Sequence, residues 1–334
     1  MNPLPFILLA ISLPLLLGGC GGDKKEPVSE VKAVEEKQQA VKTEEPVAET
    51  KPTEEVPVNP NLKYEIKDGM VTITGCDRKA SGTITIPATI DGNPVSSIGG
   101  KAFWSCTSLT SITIPDSVTS IGLNAFYDCE GLTSIIFGEN SQLTSIGIQA
   151  FNGCTSLRSI TIPDNVTTIG GVAFYGCIGL TSITIPDSVT SIGTGAFRSC
   201  TGLTTIEVGA GNPDYTDMDG VLFNKEKTAL RIYPAGKTGD NYTIPDSVTS
   251  IGASAFYQCT SLTSITIPVG VTSIGHQAFN SCTHLTAVTF LGDAPKTRRQ
   301  VFKGATPTIY RKPEAKGWGD TWAGRPVKLI SEKP

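Results

Sequence analysis

From residue 83 onward the sequence returns on itself. The clearest unit, Ser108 to Glu130, reads SLTSITIPDSVTSIGLNAFYDCE. It recurs at 156–178, 179–201 and 261–283, with close variants at 83–107 and 131–155. A phenylalanine marks nine copies: Phe103, Phe126, Phe151, Phe174, Phe197, Phe223, Phe256, Phe279 and Phe302, at spacings of 23, 25, 23, 23, 26, 33, 23 and 23. A period of this length constrains the fold more than any local propensity. A single unit cannot bury its apolar face alone, so units must stack, each touching only its neighbours. The expected fold is a solenoid.

Within a unit, Ile112 and Ile114 flank Thr113, so the threonine points away from them along a strand. Pro115 cannot donate to a ladder, and Asp116-Ser117 supply turn chemistry. Val118 and Ile121 begin a second inward stretch, and Gly122 allows a sharp bend. Ala125, Phe126 and Cys129 stand at i, i+1 and i+4, which suits one inward-facing helical turn. The composition agrees with short strands and many turns: 35 Gly and 22 Pro, but only 17% charged residues. The net charge of −4 provides no basic footprint for nucleic acid.

The phrase LTSITIPDSVTSIGxxAFxxC resembles the BspA-like leucine-rich repeat found in bacterial surface proteins. The resemblance covers about residues 83–305. Asp219-Gly220-Val221-Leu222-Phe223-Asn224, followed by Ile232-Tyr233-Pro234-Ala235-Gly236, is similar to the degenerate repeat of that family. Gly317-Trp318-Gly319 and Ala323-Gly324-Arg325-Pro326 are similar to its C-terminal end. The resemblance implies a right-handed leucine-rich repeat solenoid of about nine repeats, β-rich, with a parallel sheet and one short helical turn per repeat. It also implies display outside the cell, with adhesion or protein binding as the role.

The ends of such a stack need closing. Tyr64-Glu65-Ile66 and Val71-Thr72-Ile73 alternate around Asp68-Gly69, a hairpin signal that makes 61–82 an N-terminal cap. Residues 306–334 are expected to form a C-terminal cap, with Trp318 and Trp322 packed over the last coil.

Ahead of the cap, Leu4 to Leu17 is an apolar run ending in Gly18-Gly19-Cys20. It is short for a bilayer span, which needs about 20 residues, and fits a signal peptide over 1–19. Leu17-Gly18-Gly19-Cys20 resembles a bacterial lipobox, which implies acylation of Cys20 and attachment to the membrane through lipid. Met1 to Leu17 lacks the usual Lys or Arg. Gly21 in place of Asp implies the outer membrane or cell surface. Between residues 23 and 60 lie ten acidic and six basic residues, five prolines and no aromatic. With Cys20, this stretch (20–60) reads as a disordered tether.

Seven cysteines follow the marker phenylalanine by three residues: Cys106, Cys129, Cys154, Cys177, Cys200, Cys259 and Cys282. The same position holds Glu226 and Ala305 in the other two copies, and a position that tolerates Ala is a small inward packing site. A column of buried thiols is expected rather than disulfides. Cys76 stands outside it.

No phosphate loop, GxSxG elbow or HExxH motif occurs. Acidic residues recur with the turn that carries them, as at Asp116, Asp164, Asp187 and Asp246. His276 and His284 have no partner in the sequence. The expected protein is not an enzyme, needs no cofactor or metal, does not bind nucleic acid and is a monomer. Two surfaces are candidates for binding an extracellular protein or glycan. One is a regular Ser/Thr face that includes Thr113, Thr161, Thr184 and Thr266. The other is the irregular pair of copies between Phe197 and Phe256, where Tyr215, Arg231, Tyr233 and Tyr242 break the pattern; aromatic residues and Arg are frequent interface anchors. The alternative role is structural, spacing layers of the envelope without a dedicated ligand.

Overall fold

The computed structural model describes residues 57–333. The signal segment, Cys20 and most of the tether lie outside the described residues. The front is closed by the antiparallel strands Leu62–Lys67 and Met70–Cys76, joined through Asp68 and Gly69, both at positive φ (52° and 71°). This is the turn geometry whose twist matches a hairpin. The second strand continues in parallel onto Asn93–Ile98, with Val71 opposite Val95 and Ile73 opposite Ile98. The two-residue strands Ser120–Ile121, Ser145–Ile146, Thr168–Ile169 and Ser191–Ile192 then extend the same sheet.

Most units contribute a second, longer strand on another side of the coil; in the 156–178 copy residues 159–162 form none. Gly82–Thr85, Leu109–Ile114 and Ser134–Phe137 pair in parallel. Later coils repeat the arrangement through Asn241–Thr243, Ser264–Ile267, Ala287–Phe290 and Thr308–Arg311. The apolar residues of both strands point into one shared interior, where Ile112, Val118, Leu132 and Ile146 are buried. At the back, Arg325–Leu329 adds one more parallel strand. Trp318 and Trp322 pack on Phe290, with centroids 4.8 and 5.0 Å away, so these rings do close the last coil.

The third side of each coil is not a helical turn. Asn124 and Asp128 have positive φ (57° and 55°), which an α-helix excludes. The segment is instead a chain of tight turns with alternating hydrogen bonds. Ala125, Tyr127 and Cys129 N–H donate within the coil to Gly122, Asn124 and Phe126 carbonyls. Asn124, Phe126 and Asp128 N–H donate across to Ile148, Ala150 and Asn152 carbonyls of the next coil. The i, i+1, i+4 spacing therefore brings Ala125, Phe126 and Cys129 inward by successive turns. The role of Gly122 also differs from a bend at special φ. A Cβ there would lie 2.7 Å from the backbone of Gly100, and at Gly147, Gly170 and Gly193 the gap to the preceding coil is similarly small. Adjacent coils touch backbone to backbone along this glycine column.

The phenylalanines form a stack, with Phe103–Phe126 centroids 4.8 Å apart and planes within 6°. The stack runs on through Phe151, Phe174 and Phe197. Phe223 is not its next member. It sits in the antiparallel meander Tyr215–Met218, Val221–Asn224 and Ala229–Ile232. Tyr233 takes the vacant ring position, stacked on Phe256 at 5.1 Å. Its N–H donates to the Ala255 carbonyl, as the N–H of Phe126 does to Ala150. The meander divides the core into two clusters, with Leu222 in the first and Phe223 in the second.

Candidate functional site

The cysteine column is built into the frame. Cys129, Cys154, Cys177, Cys200 and Cys282 are buried and free, and each thiol donates to the carbonyl of the preceding coil's phenylalanine at 2.9 to 3.2 Å. Cys259 does the same to the Tyr233 carbonyl at 3.7 Å, which again marks Tyr233 as the anchor of its coil. Burial pushes the Cys129, Cys200 and Cys282 thiols up to about 12 and those of Cys154, Cys177 and Cys259 well above the ordinary value. These are inert packing groups. Cys76, at the end of the cap hairpin, meets the first thiol of the column. The Cys106 thiol donates to the Asp77 carbonyl at 3.8 Å, and the interaction between the two thiols pushes Cys76 up and Cys106 down.

The Ser/Thr face is less regular than its sequence. Thr161 and Thr184 are exposed, while Thr113 and Thr266 are half-buried. Parallel register places Ile136 beside Thr113 and Glu207 beside Thr184, and the meander then interrupts the row. Other threonines brace the coils. Thr133 Oγ1 donates to the Thr110 carbonyl at 2.9 Å, Thr204 to Thr181 at 3.0 Å, and Thr144 to Thr119 at 3.0 Å. The recurrence of threonine at these positions was the sequence signal for that ladder.

The irregular copies hold a different kind of surface. Tyr215 is only 8% exposed, and its hydroxyl accepts the Ile192 N–H at 3.1 Å. Tyr233 is 3% exposed, and burial pushes its hydroxyl up to about 12. Both are packing residues and not the exposed anchors their types suggested. Tyr242 is half-buried, edge-on to Tyr233 at 4.8 Å. Arg231 alone of the four is exposed.

Arg231 lines a cleft of about 210 Å³ at the junction. Arg198, which the sequence did not single out, lines the same cleft. Its guanidinium lies 3.7 Å over the Tyr257 ring and 5.9 Å from Tyr175. Arg198 thus reaches from the last coil before the meander to the first full unit after it. Its buried Nε has no hydrogen-bond partner. The backbone is open at the same place. In the coil before, Val172, Phe174 and Gly176 N–H donate across to Thr194, Ala196 and Arg198 carbonyls. The next three in the series, Gly195, Phe197 and Ser199 N–H, have no acceptor among the described residues. The ladder is broken where the meander begins.

Comparison with known proteins agrees with this architecture. The family model of the BspA type leucine rich repeat region matches in six copies, over residues 81–204, 132–223 and 236–309. The chain belongs to the BspA-type leucine-rich repeat family. Among solved structures it is similar to the pneumococcal vaccine antigen PcpA, at 22% identity and TM-score 0.57, covering 76% of this chain and 81% of that one. It is also similar to a leucine-rich repeat protein from Eubacterium ventriosum, at 28% identity and TM-score 0.56, covering 76% and 77%. No curated protein matches the sequence. The matched BspA-type stretches stop at 223 and resume at 236, so the family pattern lapses in the segment that carries Arg231 and Tyr233.

Proposed function

We propose that this chain is a non-enzymatic bacterial surface protein, lipid-anchored at Cys20, whose solenoid mediates adhesion or protein binding through its irregular copies. Membership of the BspA-type family supports the general role, and the apolar run ending in Gly18-Gly19-Cys20 supports the anchor. One observation carries the choice of surface. Regular coils offer every neighbour the same chemistry, whereas the junction between Phe197 and Tyr233 is unique along the stack, with an open ladder and two arginines. A solenoid lends such a place rigidity, because each coil is fixed by the ones on either side. The test is adhesion of bacteria displaying the full chain to immobilised extracellular proteins. Arg231→Glu should lower adhesion while leaving surface display unchanged. Equal adhesion by the variant would place the contact elsewhere on the stack.

A further inference from the structure

The cleft at the broken ladder is rich in donors and has no carboxylate. Arg198 and Arg231 both line it, with no Asp or Glu in its wall. Gly195 and Phe197 bring unpaired backbone N–H groups to the same wall. Arg198 is held with one ring face on Tyr257, which leaves the N–H edge of the fork as its means of recognition. A guanidinium edge suits a carboxylate, which can accept two parallel hydrogen bonds. The buried Arg198 Nε has no acceptor in the fold, a costly state for a donor. The open N–H groups beside it offer an incoming acceptor further hydrogen bonds.

We propose that this cleft binds a carboxylated saccharide unit, a hexuronate or a sugar acid of similar size. The carboxylate would pair with Arg198 and Arg231, and ring oxygens and hydroxyls would accept from the Gly195 and Phe197 N–H groups. Thr194 and Ser254, which also line the cleft, offer hydroxyls that serve as donor or acceptor. The size is right for one small unit, because about 210 Å³ lies below the roughly 300–1,000 Å³ of sites for drug-sized ligands. A saccharide is favoured over an acidic peptide by the rest of the lining. Tyr215, Tyr233 and Tyr257 also line the cleft, and the C–H faces of a sugar ring pack on aromatic rings, whereas a peptide must also find acceptors for its own N–H groups. Sugar hydroxyls rotate to donate or accept as each neighbour requires. The inference deepens the reading of the chain as a surface binding protein, but its test is separate, since it uses purified protein and small ligands.

The experiment is calorimetric titration of the full chain with trigalacturonate at low salt. Neutral galactotriose and a Gly-Glu-Gly peptide are titrated in parallel, and amide shifts are followed by NMR. Trigalacturonate should bind at least about tenfold more tightly than either control, the scale of one charge-assisted hydrogen bond. Its amide shifts should centre on Gly195, Phe197 and Ser199. Arg198→Gln and Arg231→Gln should each weaken it by about tenfold. Arg198→Gln also gives up the stacking on Tyr257, so its melting temperature is measured alongside. Arg231 is exposed, and Arg231→Gln therefore tests the idea without a folding penalty. Binding of the neutral trisaccharide as tight as the acid, tighter binding of the acidic peptide, or wild-type affinity in Arg231→Gln would each overturn the proposal.

Discussion

The ring of Tyr233 lies against that of Phe256 with centroids 5.1 Å apart and planes 26° apart, in the slot that phenylalanine fills in the other coils. The stack of rings is thus continued after the meander by a residue ten positions beyond the phenylalanine that the sequence pattern suggests. Tyr233→Phe should change stability by less than about 1.5 kcal/mol, as a swap of nearly equal volume. Tyr233→Ala should cost about 3–5 kcal/mol, the range for emptying an aromatic core site. Phe223→Ala should also destabilise, through the second core cluster. Denaturant unfolding of the three variants distinguishes these outcomes.

Tyr215 acts on its neighbour's backbone. Removing its hydroxyl in Tyr215→Phe leaves the Ile192 N–H without its acceptor, and should cost about 1–3 kcal/mol. Ligand binding in the cleft should survive, provided the variant is assayed well below its melting temperature. Loss of binding with unchanged stability would return Tyr215 to the contact surface.

The glycine column predicts a steric effect with a definite location. At Gly147 a Cβ would lie 2.6 Å from the Gly122 backbone, and that backbone is itself held in the stack. Gly147→Ala should destabilise by about 1–3 kcal/mol, the usual cost of overpacking. Gly92→Ala is a contrast, because its Cβ would meet nothing within 4 Å although φ is +74°. Its cost should be that of the backbone conformation alone.

The buried thiols give a pH dependence whose sign follows from burial. Their ordinary value is 9.0, and in the folded protein Cys129, Cys200 and Cys282 are pushed up to about 12. Above pH 9 the unfolded chain releases thiol protons that the folded chain retains. Stability is therefore full below pH 9 and falls as pH rises toward 12, by up to about 1.4 kcal/mol per pH unit per thiol. Cys200→Ala should make that fall shallower. An unchanged slope between pH 9 and 11 would contradict the burial of this thiol.

The regular part of the molecule was legible because its period, its inward residues and its packing coincide. Ile112, Phe126 and Cys129 are buried where their alternation and recurrence place them. The helical turn was misread because i, i+1, i+4 spacing fits a helix and a chain of turns equally well. Asn124 and Asp128 decide the matter through positive φ, and nothing in their identity is unique to that conformation. The junction was harder still. Tyr215 and Tyr233 have the composition of an interface but the burial of a core, because residue type does not reveal which way a meander turns its side chains. Arg198 falls inside a nearly perfect repeat, and only the partner across the break, Tyr257, gives it meaning.

If the interruption of the ladder at the meander creates the binding surface, the backbone there must be open in the free protein. Amide hydrogen exchange reads that opening residue by residue. The Val172, Phe174 and Gly176 N–H groups bond across to the next coil and should exchange slowly, through opening of the stack. The Gly195, Phe197 and Ser199 N–H groups, equivalent in sequence, should exchange far faster in the free protein. Equal protection of the two sets would mean that the ladder is closed at the junction, which would contradict the binding surface proposed there.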